Sequence, residues 1–255
     1  MTEAKLIKFS IITVCLNSDK SIYDTLESVN TQTWENLEHI IVDGGSKDKT
    51  IEIIKSHGNR VSKVISEKDD GIYDAMNKGI EIATGDVIGF LNSDDFFCNN
   101  EIINEYAAHF SQNPQTEAVY GDISYIRDDI KEGIKILRNW KAHSFSKESF
   151  SRGWIPPHPS FYVRREVFEK YGHFRKDFYF AADFDLMCRF ISKGVCTKYI
   201  PGEKIYMRVG GATNQSWINI LKGNVEIIKS LNKNGIEVGI KFFFFKFLNR
   251  ISQYF

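Results

Sequence analysis

The stretch GDVIGFLNSDDFF, residues 85–97, begins as a short apolar run and ends in adjacent carboxylates. The run carries the backbone to Asn92, and Ser93, Asp94 and Asp95 follow in sequence. Oxygen ligands of this kind suit a hard cation such as Mg²⁺ or Mn²⁺. Asp and Ser are also common in turns that cap a following helix, where they bond to the local backbone. By itself, the stretch is equally compatible with a site and with an acidic turn.

On both sides of this stretch, β-branched apolar runs alternate with amphipathic helical patterns. Strands are predicted over residues 9–16, 38–42, 61–65 and 86–91, and helices from residue 21, from residue 48 or 49, and over residues 72–83. Such alternation predicts an α/β fold with a parallel, doubly wound sheet. Ligands bind these sheets at the carboxyl ends of the strands, where Asn17, Asp43, Asp69 and Asp94 fall. This placement favours a site.

The second half of the chain is less regular. We predict strands over residues 118–126, 134–137 and 161–164, a short helix over 165–171, and a helix that passes residue 191 and ends at 194. The segment WIPPHPS, residues 154–160, is predicted to be a stiff loop because proline fixes φ and removes an N–H donor. Asp183 and Asp185 suit the first turn of the last helix through its dipole. Alternatively, one of them is a catalytic base: Asp185 could serve the helix while Asp183 faces a pocket.

The composition excludes several classes of protein. Lys and Arg total 33, as do Asp and Glu, and the resulting zero net charge argues against a nucleic-acid-binding protein. Neither a dinucleotide fingerprint nor a P-loop motif occurs, so a diphosphate would be held through a metal. The N-terminus MTEAKLIKFS has no apolar signal core, and no apolar run is long enough to span a bilayer. We therefore expect a cytoplasmic protein.

Six segments, in order, resemble the inverting glycosyltransferases of family 2, which have the GT-A fold. They are SIITVCLN, IIVDGGSKDKT, SEKDDGIYDAMNKGIEIATGD, IGFLNSDD, HPSFYVRREVFEKYGHF and AADFDLMCRF. The resemblance implies a Rossmann-like, mainly parallel central sheet flanked by helices. It places a GT-A domain over residues 1–212, with a nucleotide-binding half at about 1–97 and an acceptor-binding half at about 98–212. Residues 213–255 would form a C-terminal helical extension.

The resemblance also implies a reaction and a set of site residues. A nucleotide diphosphate sugar, most simply UDP-linked, would donate its sugar with inversion to a saccharide or lipid-linked saccharide in bacterial cell-surface glycan synthesis. Asp183 would be the general base, and Asp94 would bind the divalent metal, Mn²⁺ or Mg²⁺. The nucleotide sugar would contact Thr13, Asn17, Asp43, Asp69, Asn77, Asn92 and Ser93, while Asp95 and His158 would lie on the acceptor or metal side.

The sequence departs from the family pattern at two positions. Asn92 replaces the first aspartate of the family's D-x-D motif, and a neutral amide contributes less than a carboxylate to cation binding. Met76 stands where many members have arginine. Lys78 is near in sequence, but one helical residue rotates it by about 100° from Asn77. The first departure is the main support for an alternative function, that of a catalytically silent nucleotide- or glycan-binding relative in an assembly. A phosphohydrolase or nucleotidyltransferase ranks lower, because no nucleophile motif or phosphate loop is present.

The C-terminal tail, residues 241–255, combines aromatic residues with lysine and arginine on a predicted amphipathic helix. Such a helix suits an anionic membrane surface, which would place the protein at the inner face of the plasma membrane. The alternative is a terminal helix that packs on the domain or against a second copy in a homo-oligomer. A preceding amphipathic helix is predicted over residues 217–232.

Overall fold

A computed structural model describes residues 6–129, 133–145, 147–209, 217–237 and 242. In its N-terminal half, four strands pair in parallel in the order β3-β2-β1-β4. These are β1 (Phe9–Cys15), β2 (Leu37–Asp43), β3 (Val61–Ser66) and β4 (Val87–Phe90). The connecting helices are α1 (Ile22–Asn30), α2 (Thr50–His57) and α3 (Ile72–Ile82). The predicted alternation of strand and helix is therefore confirmed.

The central strand β1 is buried on both faces, as its continuous apolar sequence predicts. Ile12 belongs to the apolar cluster on one side of the sheet, and its neighbour Ile11 belongs to the cluster on the other side. Helix α3 lies against the first side, where Gly79 allows a close approach. A Cβ at Gly79 would lie 2.5 Å from Ile12, so no larger residue fits without a backbone shift.

The second half completes the sheet in the order β4-β8-β6-β9-β5, with β7 paired to β6. Its strands are β5 (Phe96–Phe97), β6 (Ala118–Asp129), β7 (Gly133–Trp140), β8 (Tyr162–Arg164) and β9 (Thr197–Arg208). Its helices are α4 (Ile102–Gln112), α5 (Lys147–Ser151), α6 (Arg165–Tyr171), α7 (Ala182–Ser192) and α8 (Trp217–Lys233), with a 3₁₀ turn at His158–Ser160. β8 runs antiparallel to both of its neighbours. This arrangement confirms the predicted α/β, GT-A-type fold.

The sequence reading missed four elements of this half: α4, α5, β5 and β9. α4 buries Ile102, Tyr106 and Phe110 at helical spacing, a periodicity that was available in the sequence. β9 is interrupted by Pro201 and by Gly202, whose φ of 96° is unusual in a strand, and this pair resembles a turn in sequence. In the described residues, no helix has the length and apolar character needed to cross a membrane.

Helix α8 confirms the helix predicted over residues 217–232. Its Leu231 is buried in an apolar cluster with Phe150, Phe184 and Phe242. Elsewhere on the helix, Leu221 and Val225 are exposed. Apart from Phe242, the tail over which membrane contact was predicted lies outside the described residues, and the predicted domain boundaries stay predictions.

Candidate functional site

A cleft opens at the carboxyl ends of the parallel strands, where the sequence predicted a site. Its empty volume is about 890 Å³ including the open mouth. Four predicted site residues line it together: Asp69, Asn92, Ser93 and Asp94. The remaining lining residues are Val14, Cys15, Leu16, Gly44, Gly71, Ile72, Ala75 and Met207. The cleft therefore combines an apolar floor with a few convergent polar groups, as small-molecule sites generally do.

Asp43 shapes the loop beside the cleft. It is fully buried at the end of β2, and its carboxylate accepts hydrogen bonds from the Ser46 hydroxyl and from Ser66 Oγ at 2.6 Å. The backbone N–H groups of Gly45 and Ser46 donate to it at 3.2 and 3.1 Å. The carboxylate also raises the pKa of the buried Cys15 thiol, although burial is the larger cause. With these donors in place, Asp43 holds the loop in position, and its predicted contact with the nucleotide stays a prediction.

Asn17 holds the same loop from the β1 side. It is exposed and adopts a left-handed conformation with φ of 50°, which asparagine tolerates better than most residues. Its Oδ1 accepts a hydrogen bond from the Lys47 N–H at 2.8 Å, and its own N–H donates to Ser46 Oγ at 2.8 Å. Asn17 therefore lies at the edge of the site, and its predicted contact with the nucleotide stays a prediction.

Asp69 is paired with Lys78, which the sequence analysis expected to point elsewhere. Lys78 Nζ contacts the Asp69 carboxylate and lies 2.7 Å from Glu67 Oε1. These hydrogen bonds raise the pKa of Lys78, so the ammonium stays charged. Although Lys78 is rotated by about 100° from Asn77 on the helix, its long, flexible side chain still reaches Asp69. The Lys78 ammonium thus lies next to the Asp69 carboxylate, which lines the cleft.

The loop after β4 divides its polar residues between the cleft and the interior. Ser93 and Asp94 line the cleft, and Ser93 Oγ lies 2.8 Å from Ser18 Oγ at the end of β1. Asp95 is buried, and Asn92 Nδ2 donates to its Oδ2 at 3.2 Å. Burial raises the pKa of Asp94, and it raises the pKa of Asp95 well above the usual range, with the Asp94 charge adding to the effect. Arg208 was missed by the sequence analysis; its guanidinium donates to the Asp94 carbonyl at 3.0 Å.

The residues of this loop partly fit a divalent metal. Asp94 offers a carboxylate to the cleft, and the Asn92 Oδ1 and Asp95 Oδ1 atoms are buried without a hydrogen-bond partner. These are hard oxygen donors of the type that Mg²⁺ and Mn²⁺ prefer. No group of three or more His, Cys, Asp or Glu side chains suited to a metal occurs among the described residues. A metal here would therefore depend on few protein ligands, and the diphosphate of a donor would have to supply others.

Asp183 lies in the first turn of α7, partly exposed. Its Oδ1 accepts two hydrogen bonds, from the Tyr73 hydroxyl at 3.1 Å and from the Phe184 N–H at 2.8 Å. Within the described part of the chain, no donor reaches its Oδ2. Asp183 therefore has one oxygen fixed by the protein and one that can accept a proton. Tyr73 was not singled out in the sequence, because its partner lies 110 residues away.

His158 is held by aromatic rings. It stacks on Phe90 with ring centroids 5.6 Å apart and meets Phe174 edge-on at 5.8 Å. This packing lowers the pKa of His158 by desolvation, and the nearby Asp183 charge opposes the effect. A neutral imidazole near Asp183 is the result. His158 is not among the residues that line the cleft with Asp94, and its predicted place on the acceptor or metal side stays a prediction.

Two of the residues predicted to contact the nucleotide are buried in the framework instead. Thr13 is fully buried, and its Oγ1 lies 2.9 Å from His39 Nε2. Asn77 uses both ends of its amide on the main chain of Phe174: Nδ2 donates to the carbonyl at 2.9 Å, and Oδ1 accepts from the N–H at 3.0 Å. Neither side chain lines the cleft, and their predicted contacts with the nucleotide stay predictions.

Comparison with known proteins agrees with the geometry. The family model described as glycosyl transferase family 2 matches residues 10–172. The chain belongs to glycosyl transferase family 2. The match covers the four parallel strands except Phe9, and it covers the cleft-lining residues except Met207. Asp183 also lies beyond its end.

One relative and two solved structures illustrate what this family 2 chain is similar to. A PGL/p-HBAD biosynthesis glycosyltransferase of Mycobacterium bovis is 29% identical over 211 residues, which cover 81% of this chain and 79% of the relative. The crystal structure of S. aureus TarS 1-349 in complex with UDP-GlcNAc superimposes with a TM-score of 0.69 at 17% identity, covering 96% of this chain and 73% of TarS. The mannosyltransferase PcManGT from Pyrobaculum calidifontis, in complex with GDP-Man and Mn²⁺, gives a TM-score of 0.68 at 18% identity, covering 97% and 69%. At these identities, the two structures establish the fold alone.

Proposed function

We propose that this family 2 chain is an inverting glycosyltransferase that uses Asp183 as its general base. The carrying observation is the asymmetric carboxylate of Asp183, which has one oxygen held by Tyr73 and Phe184 and the other without a donor among the described residues. A base in an inverting transfer has to be oriented and also has to keep one oxygen available for the proton. Asp183 meets both requirements, and the cleft at the carboxyl edge of the sheet provides room for a nucleotide sugar.

The proposed step is a single displacement. The acceptor hydroxyl oxygen attacks the anomeric carbon while its proton passes to Asp183 Oδ2. The bond between that carbon and the diphosphate oxygen breaks, and its electron pair leaves with the nucleoside diphosphate. General-base assistance of this kind contributes about 10²- to 10⁴-fold to a rate. Asp69 and Ser93 would line the donor, as the sequence predicted.

Asp94, with Asn92 Oδ1 nearby, would hold a divalent metal on the leaving-group side. A bound Mn²⁺ or Mg²⁺ would offset the negative charge that develops on the departing diphosphate. The structural neighbour solved with GDP-Man and Mn²⁺ supports the use of such a metal, and the donor nucleotide could be UDP or GDP. The acceptor we propose is a saccharide or lipid-linked saccharide, which agrees with the biosynthetic name of the mycobacterial relative. We further propose a cytoplasmic location, with contact to the membrane surface through residues 241–255.

The test compares two carboxylate variants after a screen of UDP- and GDP-linked sugars. Asp183→Asn should lower turnover by about 10²- to 10⁴-fold while leaving nucleotide affinity unchanged in calorimetry. Asp94→Ala should instead abolish the gain in nucleotide affinity that Mn²⁺ provides. Thermal unfolding of both variants controls for loss of fold. Turnover of Asp183→Asn above a few per cent of the wild-type rate would exclude Asp183 as the base.

A catalytically silent relative that only binds nucleotide or glycan is the second candidate. Asn92 favours it, because a neutral amide stands where the family motif has a carboxylate. Tight UDP binding by the wild-type chain without turnover of any donor would support this candidate over the enzyme.

A further inference from the structure

Helix α3 contacts the segment that leads to Asp183 at three successive points. Along the helix, Asn77, Asp74 and Tyr73 reach Phe174, Lys176 and Asp183 respectively. From Asn77 to Tyr73 the contacts approach the N-terminal end of α3, and their partners in the other segment approach α7. At the N-terminal end of α3, Gly71 and Ile72 form part of the cleft lining. One helix thus borders the proposed donor cleft at its N-terminus and supports the proposed base along its side.

The first of these contacts fixes the backbone of the segment. Asn77 is buried, and its amide makes a two-point hydrogen bond with the Phe174 main chain at 2.9 and 3.0 Å. A two-point contact determines the direction of Phe174 as well as its distance. Asn77 therefore has a defined function in the fold, although it does not line the cleft.

The Phe174 ring in turn restrains Tyr73. The two rings stack with centroids 5.5 Å apart and an interplanar angle of 27°. Phe174 is itself packed against Phe90, with centroids 5.2 Å apart and an angle of 75°. Offset and edge-to-face pairs of this kind are favourable beyond the burial of apolar area. The packing of the Tyr73 ring therefore fixes the position of its hydroxyl next to Asp183.

The last contact acts on the carboxylate. The Tyr73 hydroxyl and the Phe184 N–H both donate to Asp183 Oδ1, so the carboxylate plane cannot rotate without losing hydrogen bonds to a charged group. Burial and the Asp183 charge raise the pKa of Tyr73 well above its usual range, so the phenol remains a donor. The other titratable groups near this pair are His158 on the 3₁₀ turn and Glu226 on α8.

We propose that Tyr73 is a positioning residue for the reaction, acting through Asp183 and held in place by Phe174 and Asn77. This inference rests on the proposed function, since it assumes that Asp183 is the base. Tyr73 occupies Oδ1 and thereby reserves Oδ2 for the proton of the acceptor hydroxyl. Its hydroxyl donates to Asp183, and Tyr73 does not line the proposed donor cleft, so removal of the hydroxyl should affect turnover and spare donor binding.

The test is Tyr73→Phe, which keeps the ring and its stacking on Phe174 and removes only the hydroxyl. The matched control is Tyr106→Phe, because Tyr106 is a buried tyrosine whose hydroxyl donates to the Ser160 carbonyl at 3.0 Å and not to Asp183. Turnover is measured with the sugar nucleotide that the wild-type chain uses best in a screen of UDP- and GDP-linked sugars. Tyr73→Phe should lower kcat about ten- to thirtyfold with the donor KM and the calorimetric UDP affinity unchanged. Tyr106→Phe should change none of these quantities.

A double-variant cycle separates positioning from a general loss of stability. In the Asp183→Asn background, Tyr73→Phe should cause no further loss of turnover, because the group it orients is already absent. Equal kcat for Tyr73→Phe and Tyr106→Phe, or full additivity with Asp183→Asn, would overturn the inference. If Asp183→Asn itself stays active, or if the wild-type chain turns over no donor in the screen, the proposed function fails first and this inference falls with it.

Discussion

Asp183 and Asp185 lie two residues apart in the same turn of α7, yet the protein surrounds them very differently. Asp185 is fully buried, and its carboxylate receives Arg175 Nη1 at 3.2 Å, Arg189 Nη1 at 3.0 Å and Ser230 Oγ at 2.9 Å. Asp183 is partly exposed, and only its Oδ1 has protein donors among the described residues. A carboxylate with both oxygens paired stabilises the fold. One with an unpaired oxygen can still accept a hydrogen bond or a proton from a ligand.

The Asp185 cluster also explains how Asp183 is kept in place. Arg189 donates to the main-chain carbonyls of Gly172 and His173 at 3.2 and 2.6 Å as well as to Asp185. Ser230 brings α8 into the same cluster. Nearby, Glu226 of α8 accepts the N–H groups of residues 179–181 at 2.8 to 3.0 Å. The Asp185 ion pairs and the hydrogen bonds of Ser230 and Glu226 thus tie α7, α8 and the preceding segment together.

The largest expected effect on stability is that of Asp185→Asn. The isosteric amide leaves Arg189 buried without its counter-charge, and breaking one partner of a buried pair typically costs about 3–5 kcal/mol. Urea unfolding at neutral pH measures the loss. Asp183→Asn is the comparison, and it should cost about 1 kcal/mol or less because the site is partly exposed and the amide oxygen can still accept hydrogen bonds.

The opposite ranking of these two variants in unfolding free energy would break the comparison. In turnover the ranking should reverse, with Asp183→Asn inactive and Asp185→Asn active in proportion to its folded fraction. A loss of turnover in fully folded Asp185→Asn would show that the catalytic role has been assigned to the wrong carboxylate.

The N-terminal half and its polar strand ends could be predicted from the sequence because they depend on local pattern. Apolar runs such as that of β1 and the helical spacing in α1 are properties of neighbouring residues. Parallel strands then bring Asp69 and Asp94 to one edge without further information. The helix α6 was predicted with both of its ends correct.

The contacts that orient Asp183 could not be predicted, because they involve residues that are distant in sequence. Asn77 and Phe174 are 97 residues apart, and Tyr73 and Asp183 are 110 apart. Only the packing of α3 against the second half brings them together. The motif that contains Asn77 was therefore assigned to the nucleotide. Likewise, the reach of Lys78 to Asp69 depends on side-chain length, which a helical-wheel argument ignores.

A smaller effect is expected from His39, a buried titratable group that, unlike Asp185, has no charged partner among the described residues. Burial lowers its folded-state pKa from 6.5 to about 3. Between these values the unfolded chain binds a proton that the folded chain does not, so the free energy of unfolding falls as pH decreases below about 6.5. The slope is at most about 1.4 kcal/mol per pH unit for one group. Above pH 7 the effect is absent.

Urea unfolding at pH 7.5 and 5.5 measures this slope, with His39→Gln as the variant. Glutamine can still hydrogen-bond to Thr13 but does not titrate, so its stability should decrease less between the two pH values than that of the wild-type chain. Burial also lowers the pKa of His158 and that of His109. These two residues therefore add the same pH dependence to the unfolding free energy of the variant and of the wild-type chain. Identical slopes for the two chains would mean that His39 is protonated in the folded state.

The smallest effect should come from Asp177, the exposed counterpart of Asp185. Lys229 and Lys233 of α8 pair with Asp177 Oδ2 at 2.9 and 2.7 Å, and they lower its pKa to about 2. A lowered carboxyl pKa stabilises the folded chain above about pH 4, and this contribution is lost as pH falls toward 2. Its side chain is 48% exposed, so solvent and salt screen the pairs, and Asp177→Asn should cost less than about 1 kcal/mol at pH 7. A cost in urea unfolding that approaches that of Asp185→Asn would show that the number of cationic partners, rather than burial, decides what a carboxylate contributes to this fold.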